Sequence, residues 1–193
     1  PRNQALIDTG GTCQDTRRAV GEGHFDREPT GMKRAIGIDL GTTNSCAAVI
    51  EDNLPKVIMY RGGCYAIPSI LAVEPGGELL VGEEARAQAA RDPGSAIIAP
   101  KRVLGGAAHS SETDAIRRLF THSMVEDESG EVMLTIGGRV FGLAEVSARI
   151  LMKIREIAEG FLGEEVGSAV ITVPTYFNAK QLRAIRQDRQ SVA

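Results

Sequence analysis

Six consecutive residues, Asp39-Leu40-Gly41-Thr42-Thr43-Asn44, hold a carboxylate, a glycine and three donor-rich side chains. Glycine lets the backbone turn tightly and come close to another group. Two hydroxyls, an amide and their backbone N–H groups follow at once, and successive N–H groups in a tight turn make an anion-binding concavity. A carboxylate just ahead of that turn suits an oxygen-seeking cation such as Mg²⁺. Carboxylate plus donor-rich turn is the composition of a magnesium–phosphate site. Ordinary surface hairpins use the same residue types, so composition alone leaves both readings open. Neither G-x-x-x-x-G-K-[ST] nor G-x-G-x-x-G occurs in the chain.

Other chemistry-bearing residues are sparse. Cys13, Cys46 and Cys64 form no C-x-x-C pair, and no His stands at zinc-ligand spacing from them. Their odd number reads as a reduced, cytoplasmic chain in which buried cysteines pack as small hydrophobes. His24, His109 and His122 are isolated in polar stretches and read as surface histidines. Of the 193 residues, 42% are hydrophobic and 24% charged, which places the chain among globular proteins rather than disordered ones. A net charge of −3 provides no basic footprint for nucleic acid. With 4% aromatics and no Trp, base-stacking platforms are excluded too. No apolar run approaches the roughly 18 residues of a membrane-spanning helix. Neither nucleic acid nor membrane is therefore an expected partner.

The elements that would hold the Asp39 turn are readable around it. Ala35 to Leu40 and Cys46 to Ile50 are apolar runs separated by a polar turn, the signal of a β-hairpin. Pro55 to Tyr60 and Ile67 to Val73 read as further strands, and Gly82 to Arg91 as a helix stopped by Asp92-Pro93-Gly94. Residues 112–121 read as a weaker helix. Val132 to Ile136 and Arg139 to Phe141 flank Gly137-Gly138 as a second hairpin. Leu143, Val146, Ile150, Ile154, Ile157 and Phe161 recur every three or four residues, giving a long amphipathic helix that Gly163 ends. Glu145, Arg149 and Lys153 lie four apart on another face, where they can pair. Ala169 to Val173 is apolar throughout, as a strand covered on both sides would be, and Pro174 closes it. The order predicts an α/β or α+β chain with a sheet packed against helices. Residues 1–32 show no period, and because the sequence opens on Pro1 they read as a disordered tail preceding Met32.

The stretch AIGIDLGTTNSC, from Ala35 to Cys46, resembles the start of the heat-shock protein 70 (DnaK) chaperone family. The resemblance continues in order through IPSILAV from Ile67, LLVGEEARAQAARDP from Leu79, KRVLGG from Lys101, FLG at Phe161 and AVITVPTYFNAKQ from Ala169. Asn44 in the loop is closest to the bacterial and organellar branch. The resemblance implies an actin-like ATPase (ribonuclease H-like) fold, with a mixed sheet packed against helices. Residues 33–187 would form the first lobe only, its basal half from 33–68 and 143–187 and its upper half from 69–142. Residues 188–193 fall outside the family pattern.

By the same resemblance, Gly41, Thr42, Thr43 and Asn44 bind the β- and γ-phosphates of ATP or ADP. Asp39 holds a hydrated Mg²⁺, and Lys101 orients the γ-phosphate and the attacking water. Pro174, Tyr176 and Asn178 link nucleotide state to a substrate-binding domain; without the family they read as a strand end and a helix N-cap. Implied partners are unfolded polypeptide clients, a J-domain co-chaperone and a nucleotide-exchange factor. The family's usual Asp and Arg beyond Asn178 are Ala179 and Leu182 here, which implies weakened interdomain and co-chaperone coupling. The downstream patterns N-E-P-T-A-A-A and D-L-G-G-G-T do not occur. The expected function is therefore an ATP-dependent folding chaperone represented by a fragment of its ATPase domain, binding nucleotide weakly by itself. The alternatives are a non-catalytic lobe that engages co-chaperones and a sugar kinase of the same fold, which would share only the D-x-G-T-T-N-like loop.

Overall fold

The computed structural model describes residues 33–100, 123–127 and 132–172. The first hairpin forms as its pattern predicts: β1 (Arg34–Asp39) and β2 (Asn44–Glu51) pair antiparallel, Ile38 opposite Ala47 and Asp39 opposite Cys46. β3 (Leu54–Val57) folds back on β2 through Asp52 and Asn53, both at positive φ, a two-residue hairpin turn. The expected strand Ile67 to Val73 is broken at Ser69. Its first part, β4 (Ile67–Pro68), pairs with β2, and its second, β5 (Ile70–Val73), starts another sheet.

That second sheet places β5 between β6 (Leu79–Val81) and β7 (Ala96–Ile98). Helix α1 (Glu83–Arg91) follows β6, one residue inside its expected start. β5 is buried along its whole length because Leu71 and Val73 enter the main core while Ile70 and Ala72 meet Ala85 of α1. A third sheet orders β10 (Arg139–Gly142), β9 (Val132–Ile136) and β8 (Ser123–Glu126), with β9 and β10 joined at Gly137-Gly138.

Helix α2 (Leu143–Leu162) ends at Gly163, whose left-handed backbone (φ 72°) a side chain would strain. Its apolar stripe of Val146, Ile150 and Ile154 packs into one core with Ile36, Ile38, Val49, Leu71, Leu134 and Phe141, so residues from all three sheets share it. On its outer face Arg149 bonds Glu145 as the spacing predicts, whereas Lys153 turns to Glu156. β11 (Val166–Thr172) then pairs parallel with β1, giving the order β11-β1-β2-β3.

β11 is not covered on both faces. Ala169 and Ile171 are half-buried against the core, but Val170 between them is 70% exposed. The helix covers only one side, so the alternating geometry of a strand leaves every second apolar residue in the open. The expected helix at 112–121 and the tails 1–32 and 188–193 lie outside the described residues.

Candidate functional site

β1 and β11 run parallel and end together, with Asp39 beside Thr172. Ligands of open α/β sheets bind beyond the carboxyl ends of parallel strands, where the chain leaves the ladder and its polar groups become available. The turn from Leu40 to Thr43 emerges at that same edge. Asp39 is half-buried, and its Oδ1 accepts a hydrogen bond of 2.9 Å from Thr172 Oγ1. Its second oxygen has no protein partner among the described residues.

The turn is held tightly from below. Gly41 N–H donates to Ser45 Oγ at 3.2 Å, and Ser69 Oγ donates to the Gly41 carbonyl at 2.9 Å. The two hydroxyls also touch each other at 2.9 Å. Ser69 N–H donates to the Thr43 carbonyl at 2.8 Å. A Cβ on residue 41 would lie 1.9 Å from the Asn44 carbonyl oxygen, an overlap no rotamer can relieve. Glycine is required here by contact rather than by dihedral angle. Pinned in this way, the N–H groups of Thr42 and Thr43 donate to no protein acceptor among the described residues. Thr43 and Asn44 are exposed, and Thr42 is half-buried.

Opposite Asp39 across the hairpin lies Cys46. Burial pushes its thiol above the ordinary value, and the nearby Asp39 charge pushes it further the same way. Cys46 is thus a neutral, half-buried thiol, as the sequence suggests, and not a thiolate.

A family model described as Hsp70 protein matches residues 35–192, most of the chain. The chain belongs to the Hsp70 family. Hsp70 proteins bind ATP, typically with Mg²⁺, and engage client polypeptides and co-chaperones. The mixed sheet packed against helices fits the actin-like ATPase fold of an Hsp70 chaperone ATPase domain. The match reaches residue 192 and so takes in most of the short tail that motif comparison sets apart.

The Asp39 turn satisfies the demands an Hsp70 ligand would make. Mg²⁺ keeps most of its waters and needs only one or two carboxylates, and Asp39 offers one oxygen toward the open edge. Two adjacent free N–H groups suit phosphate oxygens. Five of the predicted residues, Asp39, Gly41, Thr42, Thr43 and Asn44, come together at this edge. Lys101, Pro174, Tyr176 and Asn178 lie outside the described residues. Sequence reasoning missed Ser45, Ser69 and Thr172. The available signal was a lone small hydroxyl inside an otherwise apolar run, a pattern that marks a buried polar group in need of a partner.

Proposed function

We propose that the edge formed by Asp39 and the Gly41–Asn44 turn binds the phosphates of magnesium-bound ATP or ADP, and that the chain is part of an ATP-dependent folding chaperone. The observation that carries this reading is the pair of acceptor-free N–H groups at Thr42 and Thr43 beside the half-satisfied carboxylate of Asp39. Donors held rigidly toward a site where charge gathers stabilise it without reorganising, the main resource of phosphoryl transfer. Mg²⁺, when bound, neutralises phosphate charge. Asp39 orients its hydration shell, and Lys101 supplies a second positive charge near the γ-phosphate.

The remaining assignments belong to this same reading. The chain represents the first lobe, with basal segments 33–68 and 143–187 and an upper segment 69–142, and it comes from the bacterial or organellar branch. It works in the cytoplasm on unfolded clients with a J-domain co-chaperone and a nucleotide-exchange factor. Pro174, Tyr176 and Asn178 transmit nucleotide state to the client-binding domain.

Amide chemical shifts of the chain, followed while magnesium-ATP is added to millimolar levels, test the site. Shifts centred on residues 39–45 in the wild type and lost in Asp39→Asn support it. A folded wild-type chain whose 39–45 amides do not respond overturns it.

A further inference from the structure

Ser69 sits at the break between β4 and β5 and touches three separate segments at once. Its hydroxyl donates to the Gly41 carbonyl, its N–H donates to the Thr43 carbonyl, and its own carbonyl accepts from Ala99 N–H at 3.1 Å. Ala99 is at φ 55°, a left-handed conformation that a non-glycine residue adopts only when its surroundings impose it. Two residues further along the chain is Lys101. Ser45 completes the arrangement from the other side, receiving the Gly41 N–H and meeting the Ser69 hydroxyl.

Both serines are 1% exposed, so water does not compete for these bonds. The pair takes one carbonyl and one N–H of Gly41 out of circulation, and Ser69 takes the Thr43 carbonyl as well. With those groups anchored beneath the turn, the N–H groups of Thr42 and Thr43 are left facing no protein acceptor. The side chains and backbone of the pair touch no ligand position themselves, so their contribution runs through the turn.

We propose that Ser69 and Ser45 act as one positioning unit, which fixes the Gly41–Thr43 turn in its anion-receiving form and ties it to the Ala99 segment. The proposal rests on the phosphate-binding reading of that turn. Since the hydroxyls bond each other, removing one disables both, and their effects on affinity overlap instead of adding.

The test compares Ser69→Ala, Ser45→Ala, the double variant and Ser147→Ala in the full chain. Ser147 is an equally buried serine whose hydroxyl bonds only within α2, so its variant reports a purely structural loss. Magnesium-ATP affinity is read from amide shifts, and the exchange rate of the Gly41 amide is read without nucleotide. Each site variant is expected to weaken affinity about tenfold and to speed Gly41 exchange. The double variant should weaken affinity no more than about tenfold, and Ser147→Ala should leave both readings unchanged. Wild-type affinity in Ser69→Ala, or losses that multiply in the double variant, overturns the unit. If Ser69→Ala does not fold, Ser45→Ala and its Gly41 exchange decide. If even the wild type ignores nucleotide, the phosphate reading falls, and Gly41 exchange alone decides whether the pair sets the turn: unchanged rates in both variants overturn it.

Discussion

Thr172 Oγ1 donates to Asp39 Oδ1 at 2.9 Å, joining the carboxyl ends of two parallel strands whose residues are 133 apart in sequence. The bond orients the carboxylate, so that one oxygen is occupied and the other faces the open edge. Thr172→Val keeps the shape and removes the donor. Its expected effect is a loss of about 1 kcal/mol, several-fold in affinity, in the magnesium-dependent part of nucleotide binding. A Mg²⁺ titration at fixed ATP measures it, and an unchanged Mg²⁺ response would show that Asp39 needs no orienting partner.

Gly41 and Gly37 make a matched pair of alanine tests. At Gly41 an added Cβ meets the Asn44 carbonyl oxygen at 1.9 Å, whereas at Gly37 the nearest atom is the Ala48 carbonyl oxygen at 3.9 Å. Gly41→Ala is expected to rearrange the turn and weaken magnesium-ATP binding at least tenfold, while Gly37→Ala leaves binding unchanged. Amide shift maps of the two variants separate a local rearrangement from general unfolding.

Acid should loosen the corner where α2 meets β11. Val166 N–H and then Arg155 hold the Glu159 carboxyl below its ordinary value of 4.5. A carboxyl depressed in the folded state contributes stability that is present above its unfolded pKa and is lost as pH falls through the folded one. The acid limb of the stability curve should therefore lie below about pH 4.5 for this group. Glu159→Gln should flatten that limb and lower stability near neutral pH by under about 1 kcal/mol. Denaturant melts across pH 3–7 supply the comparison.

The neutral state of Cys46 has a kinetic signature. Burial first, and the Asp39 charge second, raise its thiol pKa, so the thiolate fraction at neutral pH is small. Alkylation of Cys46, followed by peptide mass spectrometry, is expected to be slower than for an exposed thiol and to rise only at alkaline pH. Asp39→Asn removes the charge contribution and should move that rise to lower pH.

The shared core predicts one cooperative unit. Ile150 of α2 has no exposed surface and touches side chains from more than one sheet. Ile150→Ala is expected to lower stability by about 2–5 kcal/mol, with a single transition by both far-ultraviolet circular dichroism and tyrosine fluorescence. Two separated transitions would mean that the sheets melt independently.

Much of this architecture is written locally. The first hairpin is readable because a polar turn interrupts two apolar runs, and α2 because its stripe keeps one period until Gly163. The break at Ser69 is not, since one small residue inside Ile67–Val73 does not disturb an apolar pattern; the split follows from β4 pairing with β2 and β5 with β6 and β7. β7 is three residues long, too short for any period. Exposure of Val170 depends on which layers lie over the sheet, a property of the assembled fold. At the site, Asp39 and Gly41–Asn44 are legible because they are contiguous. Ser45, Ser69 and Thr172 act through contacts across as many as 133 residues, and spacing says nothing about such contacts.

The pairing of β1 with β11 also imposes a timetable on synthesis. On a ribosome adding about 5–20 residues per second, Asp39 is made on the order of ten seconds before Thr172. Throughout that interval one edge of β1 lacks its final neighbour, and its N–H and C=O groups can pair with any passing strand. A member of a chaperone family thus spends its own birth as the kind of open-edged nascent chain that needs protection, and slower translation before codon 166 should lengthen the exposure.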